Sequence, residues 1–142
     1  VALMSSSGVH DLIKERFNQG DVRAGCSCPD GWVPLVEKLV NHIHWVLTHG
    51  ITWDQQHGGF PDRSLAFEVT QVKSKFGGLR FYYDMRGDTD CSLAYKIRGA
   101  MAFAESLSYT ICMDCGATDD VCIRKPGWLA TLCPSCAAKG VA

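Results

Sequence analysis

The chain has 142 residues, 46% hydrophobic and 20% charged, with a formal net charge of −1. That length holds one domain, or one domain with a small appendage, and the composition excludes a disordered or fibrous chain. The near-zero charge speaks against a generally basic nucleic-acid binder. The cations are unevenly spread, however: Lys73, Lys75, Arg80 and Arg86 are opposed only by Asp84 within residues 71–86, the one basic island.

In chain order, Val1 to Gly8 lack the basic start and long apolar run of a signal peptide. Val9, Leu12, Ile13 and Phe17 then follow helical spacing, which predicts a short helix from about His10 to Asn18 with Ser7 as its N-cap. A loop leads into Cys26-Ser-Cys28-Pro-Asp-Gly-Trp32. Asp30 suits an N-cap and Pro34 a first turn, where amides are unpaired anyway. Leu35, Val36, Leu39, Val40, Ile43, Val46 and Leu47 mark one apolar face, so an amphipathic helix is expected from about Trp32 to His49, stopped by Gly50. No apolar run approaches the ~20 residues of a membrane span.

Residues 50–64 are polar and glycine-rich and read as a loop; His57 and Asp62 within it are more simply solvated than catalytic. Leu65, Phe67 and Val69 alternate with Ala66, Glu68 and Thr70 as in a half-buried strand, and the phase slip at Val72 predicts a bulge. Phe76-Gly77-Gly78 signals a turn. In the next strand Leu79, Phe81, Tyr83 and Met85 share one face, and Arg80, Tyr82, Asp84 and Arg86 the other, so the two strands should form a β-hairpin. A helix capped by Asp88 or Thr89 should run to about Ser108. Leu93, Ile97, Ala100, Met101, Ala104 and Leu107 form its buried stripe, with Gly99, Ala100 and Ala104 allowing a close approach.

The last third carries Cys112-Met-Asp-Cys115-Gly116 and Cys133-Pro-Ser-Cys136, with 17 residues between Cys115 and Cys133. This is the spacing of a four-thiolate zinc ribbon: two tight turns each aim two sulfurs at one point, and a short hairpin joins them. Four cysteines fill a tetrahedral Zn²⁺, so the site reads as structural rather than catalytic. Buried free thiols or two disulfides are the alternative. Gly116 follows its cysteine where positive φ is favoured, and Pro134 stiffens the second turn. Cys122 reads as a plain thiol and Cys91 as a helix-start residue. Cys26 and Cys28 with His42, His44, His49 or His57 make only a weak second metal pattern. No nucleophile elbow, phosphate loop or zinc-hydrolase helix is present, and no His-x-Glu precedes the cysteine pairs as in zinc deaminases.

The order Cys28-Pro-Asp-Gly-Trp32, then Val72-Lys-Ser-Lys-Phe-Gly-Gly-Leu-Arg-Phe-Tyr-Tyr83, an alanine-rich helix and a ribbon with Trp128 before its second pair resembles small proteins encoded by bacteriophages and prophages. The likeness spans residues 28–136. It implies an accessory protein acting in a bacterial cytoplasm, and supplies neither catalytic residues nor an activity.

The expected fold is α+β: helices packed on a β-hairpin, with a core at 1–109 and the zinc ribbon at 110–142. One sheet edge is open to extension by the ribbon or by a second chain, as in a homodimer. The leading expectation is a non-enzymatic protein that binds a host or defence-system protein. Its alternative is a nucleic-acid module using Lys73, Lys75, Arg80, Tyr82 and Arg86, favoured if a positive groove joins Arg80 and Arg86 to Arg124 and Lys125. An unrecognised enzyme is the third reading.

Overall fold

The computed structural model of the chain describes residues 5–17, 27–49, 63–87, 91–124 and 128–139. Four α-helices and two small antiparallel sheets make up this α+β fold among those residues.

Helix α1 (Ser6–Phe17) begins a turn earlier than the apolar spacing predicts. Its first turn holds only serine and glycine, so periodicity cannot mark the start. Ser5, not Ser7, supplies the cap, its Oγ accepting the Gly8 N–H at 3.3 Å. A 3-10 turn at Asp30–Trp32 leads into α2 (Val33–His49), whose expected stripe is buried from Val36 through Leu47. Asp30 therefore opens the 3-10 turn rather than capping the α-helix directly. Gly50 and the caps proposed at Asp88 and Thr89 lie outside the described residues.

Residues 64–66 form a 3-10 turn, so the first strand starts at Phe67 rather than Leu65. Strands β1 (Phe67–Lys75) and β2 (Gly78–Met85) pair antiparallel. The register passes from Val69↔Tyr83 to Gln71↔Tyr82, leaving Thr70 as the extra residue of a bulge. That bulge returns Val72 to the buried face beside Phe67 and Val69. Phe81, Tyr83 and Met85 pack on the core, whereas Tyr82, Asp84 and Arg86 are exposed, as the alternation predicts. The sheet stays two-stranded among the described residues, so the ribbon does not extend it. The Ser27 N–H donates to the Val72 carbonyl at 2.6 Å from outside the hairpin ladder.

Helix α3 (Cys91–Ser108) packs against α2 and β2. Leu93, Ile97 and Ala104 are buried, with Ala100 and Met101 half-buried against the core. Gly99 corrects the expected close approach: it is exposed, and a Cβ there would meet nothing within 4 Å. Phe17, Trp32, Ile43, Leu47 and Phe67 are among the largest fully buried side chains of the core. Each such burial contributes about 1.5–3 kcal/mol before entropy.

The C-terminal unit comprises β3 (Cys122–Arg124), β4 (Ala130–Leu132) and the short α4 (Pro134–Lys139). It has a small buried cluster of its own, and Met113 touches both this cluster and the main core.

Candidate metal centre and the surface around it

The first cysteine turn follows α3 after a short connection. The Cys112 N–H donates to the Ala117 carbonyl at 2.8 Å, and the Gly116 N–H to the Cys112 carbonyl at 2.9 Å. Closing that loop requires φ +80° at Gly116, the conformation expected of a glycine there. Strand β4 delivers Cys133 to the second turn. Pro134 then opens α4, and the Ala137 N–H returns to the Cys133 carbonyl at 3.0 Å. The Met113 N–H donates to the Thr131 carbonyl at 2.9 Å, bonding the first turn to β4 and aligning the two cysteine pairs.

The Sγ atoms of Cys112, Cys115, Cys133 and Cys136 all lie within 4.8 Å of one another and can hold a metal ion. Cys115 and Cys133 are 3.7 Å apart. With metal–sulfur bonds of about 2.3 Å, a tetrahedron has edges of about 3.8 Å. All four are free thiols, which excludes the disulfide alternative in this structure. Cys112, Cys133 and Cys136 are buried and Cys115 is exposed, so the centre lies at the surface along one corner.

The electrostatics of the four sulfurs favour a cation. Burial opposes ionisation of Cys112, but the backbone amides of Cys115, Cys133 and Asp114 point at its sulfur and, with the Cys115 thiol, bring its pKa down to about 7. Cys136 is pushed up to about 12, first by its hydrogen bond with the Cys133 thiol, then by desolvation and by its other cysteine neighbours. At Cys115 the amide of Ala117 pulls downward, yet the crowding of thiols leaves its pKa raised. One thiolate is thus well supported and further ones are resisted. A divalent cation at the centre reverses that resistance.

The other sulfur positions are separate. Cys122 is exposed on β3 and outside the four-sulfur group. Cys28 is buried in the main core, its Sγ 3.5 Å from the Pro29 carbonyl. Cys26, His57 and Asp62 lie outside the described residues, and no second metal-ligand group occurs among the described ones.

The ribbon is clamped onto the core by contacts that local sequence patterns do not reveal. Trp32 Nε1 donates to the Ile111 carbonyl at 2.8 Å across 79 positions. The Gly31 N–H donates to the Met113 carbonyl at 2.7 Å. A Cβ on Gly31 would overlap the Cys112 carbonyl oxygen and lie 2.7 Å from the Met113 carbonyl carbon. The Thr131 hydroxyl donates to the Gly77 carbonyl, tying β4 to the hairpin tip.

The basic hairpin differs from the expected open patch. Arg80 is held by Glu105 of α3 at 2.8 Å and is only partly exposed. Lys73 lies over the Tyr82 ring, 5.9 Å from its centroid, and Lys75 over Phe76 at 5.6 Å. Arg86 is exposed at the far end of β2. Arg124 donates to the carbonyls of Leu132 and Asp120, within the ribbon, and Lys125 lies outside the described residues. Of the four cations expected to act together, Arg80 is thus already engaged, and its ribbon counterpart Arg124 serves the turn.

Two exposed aromatics complete the surface. The tight turn places Phe76 at φ +56° and Gly77 at φ +83°, the pattern of a two-residue type I′ hairpin. Phe76 is 63% exposed and Trp128, just before β4, is 80% exposed. Together with Pro29, Ser74, Met113 and Leu129 they line a cleft of about 530 Å³ between the hairpin tip and the ribbon. A phenylalanine in a turn that prefers Asn-Gly was the available sequence signal for this feature. In comparisons with known proteins, the chain matches no family model, no curated protein and no solved structure.

Proposed function

We propose that the chain is a non-enzymatic binding protein whose ribbon is held by Zn²⁺, and that its target is a protein of a bacterial host or of its defence system, met in the cytoplasm. The observation that carries the reading is the four-sulfur cluster docked beside an exposed aromatic cleft. Four thiolates complete a tetrahedral ion and leave no coordination position for a substrate. Zinc suits that soft, tetrahedral donor set better than harder divalent ions do. Large exposed rings such as Phe76 and Trp128 have the composition of a protein-binding surface. No helix among the described residues is long and apolar enough to cross a membrane.

Metal analysis of protein prepared without chelator should find one tightly held zinc per chain, and finding no metal would reject the metal assignment. Affinity capture from nuclease-treated bacterial lysate should recover a specific protein partner. Recovery of none would remove the target assignment.

Nucleic acid is the second reading, supported by Lys73 over the exposed Tyr82 ring. The Arg80–Glu105 pair weighs against it, because a phosphate would compete with a bound carboxylate. A titration of oligonucleotide binding against salt separates the two readings.

A further inference from the structure

We infer that the cleft between the hairpin tip and the ribbon is a peptide-docking site that accepts an acidic segment of a partner protein through one large apolar anchor side chain. The inference rests on the protein-binding reading and locates it. Its first support is the shape and chemistry of the cleft. Phe76 and Trp128 flank a concavity of about 530 Å³ whose lining also includes Pro29, Met113 and Leu129, with Ser74 as a polar contact. This volume suits a single side chain and its flanking backbone, and an apolar pocket with a few polar groups is the usual form of a ligand site.

The second support is the backbone at Phe76. A bulky residue at φ +56° pays a left-handed penalty of about 1–2 kcal/mol that glycine would avoid. Its ring recovers little of this by burial, being 63% exposed. Such strain persists where the strained side chain serves a role outside the fold.

The third support is charge. Among the described residues no charged side chain lines the cleft. Lys75 is exposed beside it and reaches the Phe76 ring, and Lys73 continues the basic edge along β1. Among the described residues neither lysine has a carboxylate partner. A ligand with carboxylates flanking an apolar side chain complements this arrangement. A phosphate backbone needs a longer run of cations, and Arg80 and Arg124 are already engaged.

The test uses the full, zinc-loaded chain and fluorescein-labelled peptides in which glutamates surround a single Leu, Phe or Trp. Their counterparts carry Gln for Glu or Ala for the anchor, and a short oligothymidylate forms a separate arm. Fluorescence anisotropy should show saturable binding of acidic, anchored peptides. Affinity should fall about tenfold when the anchor is Ala, and about tenfold in Trp128→Ala or Phe76→Gly. It should fall about threefold in Lys75→Gln, and weaken with salt. Phe76→Gly relieves the backbone strain and Trp128 is mostly exposed, so both variants stay folded. Failure of every peptide to saturate, or binding unchanged in both aromatic variants, overturns the inference. Tighter binding of oligothymidylate that displaces the peptide reassigns the cleft to nucleic acid. A partner captured equally by both variants would sink the cleft assignment and leave the broader reading standing. Anchored peptide binding with no captured partner would do the reverse.

Discussion

At Gly31 one hydrogen atom decides whether the ribbon can dock, because any side chain would collide with the backbone that carries Cys112. Gly31→Ala should therefore destabilise the protein by more than about 2 kcal/mol, read from urea unfolding, and loosen its metal. Phe76 presents the opposite case. Phe76→Asn places a residue that tolerates left-handed backbone into the hairpin turn, and should stabilise the protein by about 1 kcal/mol, measured as a raised Tm. The four thiols also give a residue-scale signature. In the folded ribbon the amides of Cys115, Cys133 and Asp114 hold the Cys112 thiol down at about 7. Because its folded pKa lies below the usual 9.0, the stability it contributes is fully present above pH 9 and lost as pH falls through about 7.

Among the elements, the strands and helices differ in how plainly the chain announces them. Residues 79–86 alternate without interruption, and Phe81, Tyr83 and Met85 do pack on the core. The two cysteine pairs were equally legible, because metal geometry forces a local spacing. The start of α1 was not, since Ser6, Ser7 and Gly8 carry no apolar period and only the Ser5 cap marks it. Nor was the role of Arg80, whose partner Glu105 stands 25 positions away on another element. Ser108 is a further example: its hydroxyl accepts the Leu79 N–H at 3.0 Å and donates to the Glu105 carbonyl, bonding the end of α3 to the start of β2. Ser108→Ala leaves a buried amide without its acceptor and should cost about 1–3 kcal/mol in chemical denaturation.

Across the whole molecule, among the described residues, the main core holds no metal-ligand cluster, whereas the ribbon's own buried cluster is five residues, three of them cysteines. Metal binding contributes on the order of 10–16 kcal/mol in isolated zinc peptides, more than so small a cluster gains by burial. Removal of the metal by a chelator should thus abolish hydrogen-exchange protection in residues 112–136 while α2 and α3 keep theirs. Equal loss throughout would mean that the two units are one cooperative body.

The hairpin-to-ribbon cleft has walls of different origin: Phe76 belongs to the sheet that the helices support, Trp128 to the loop that the sulfurs hold. Whatever fills that gap must therefore bridge a permanent half and a conditional one. By thermodynamic reciprocity, an occupant should slow escape of the ion, and starving the cell of that ion should blunt capture of the occupant. Nutritional state would then set how much of the protein is competent to bind, with no change in its abundance.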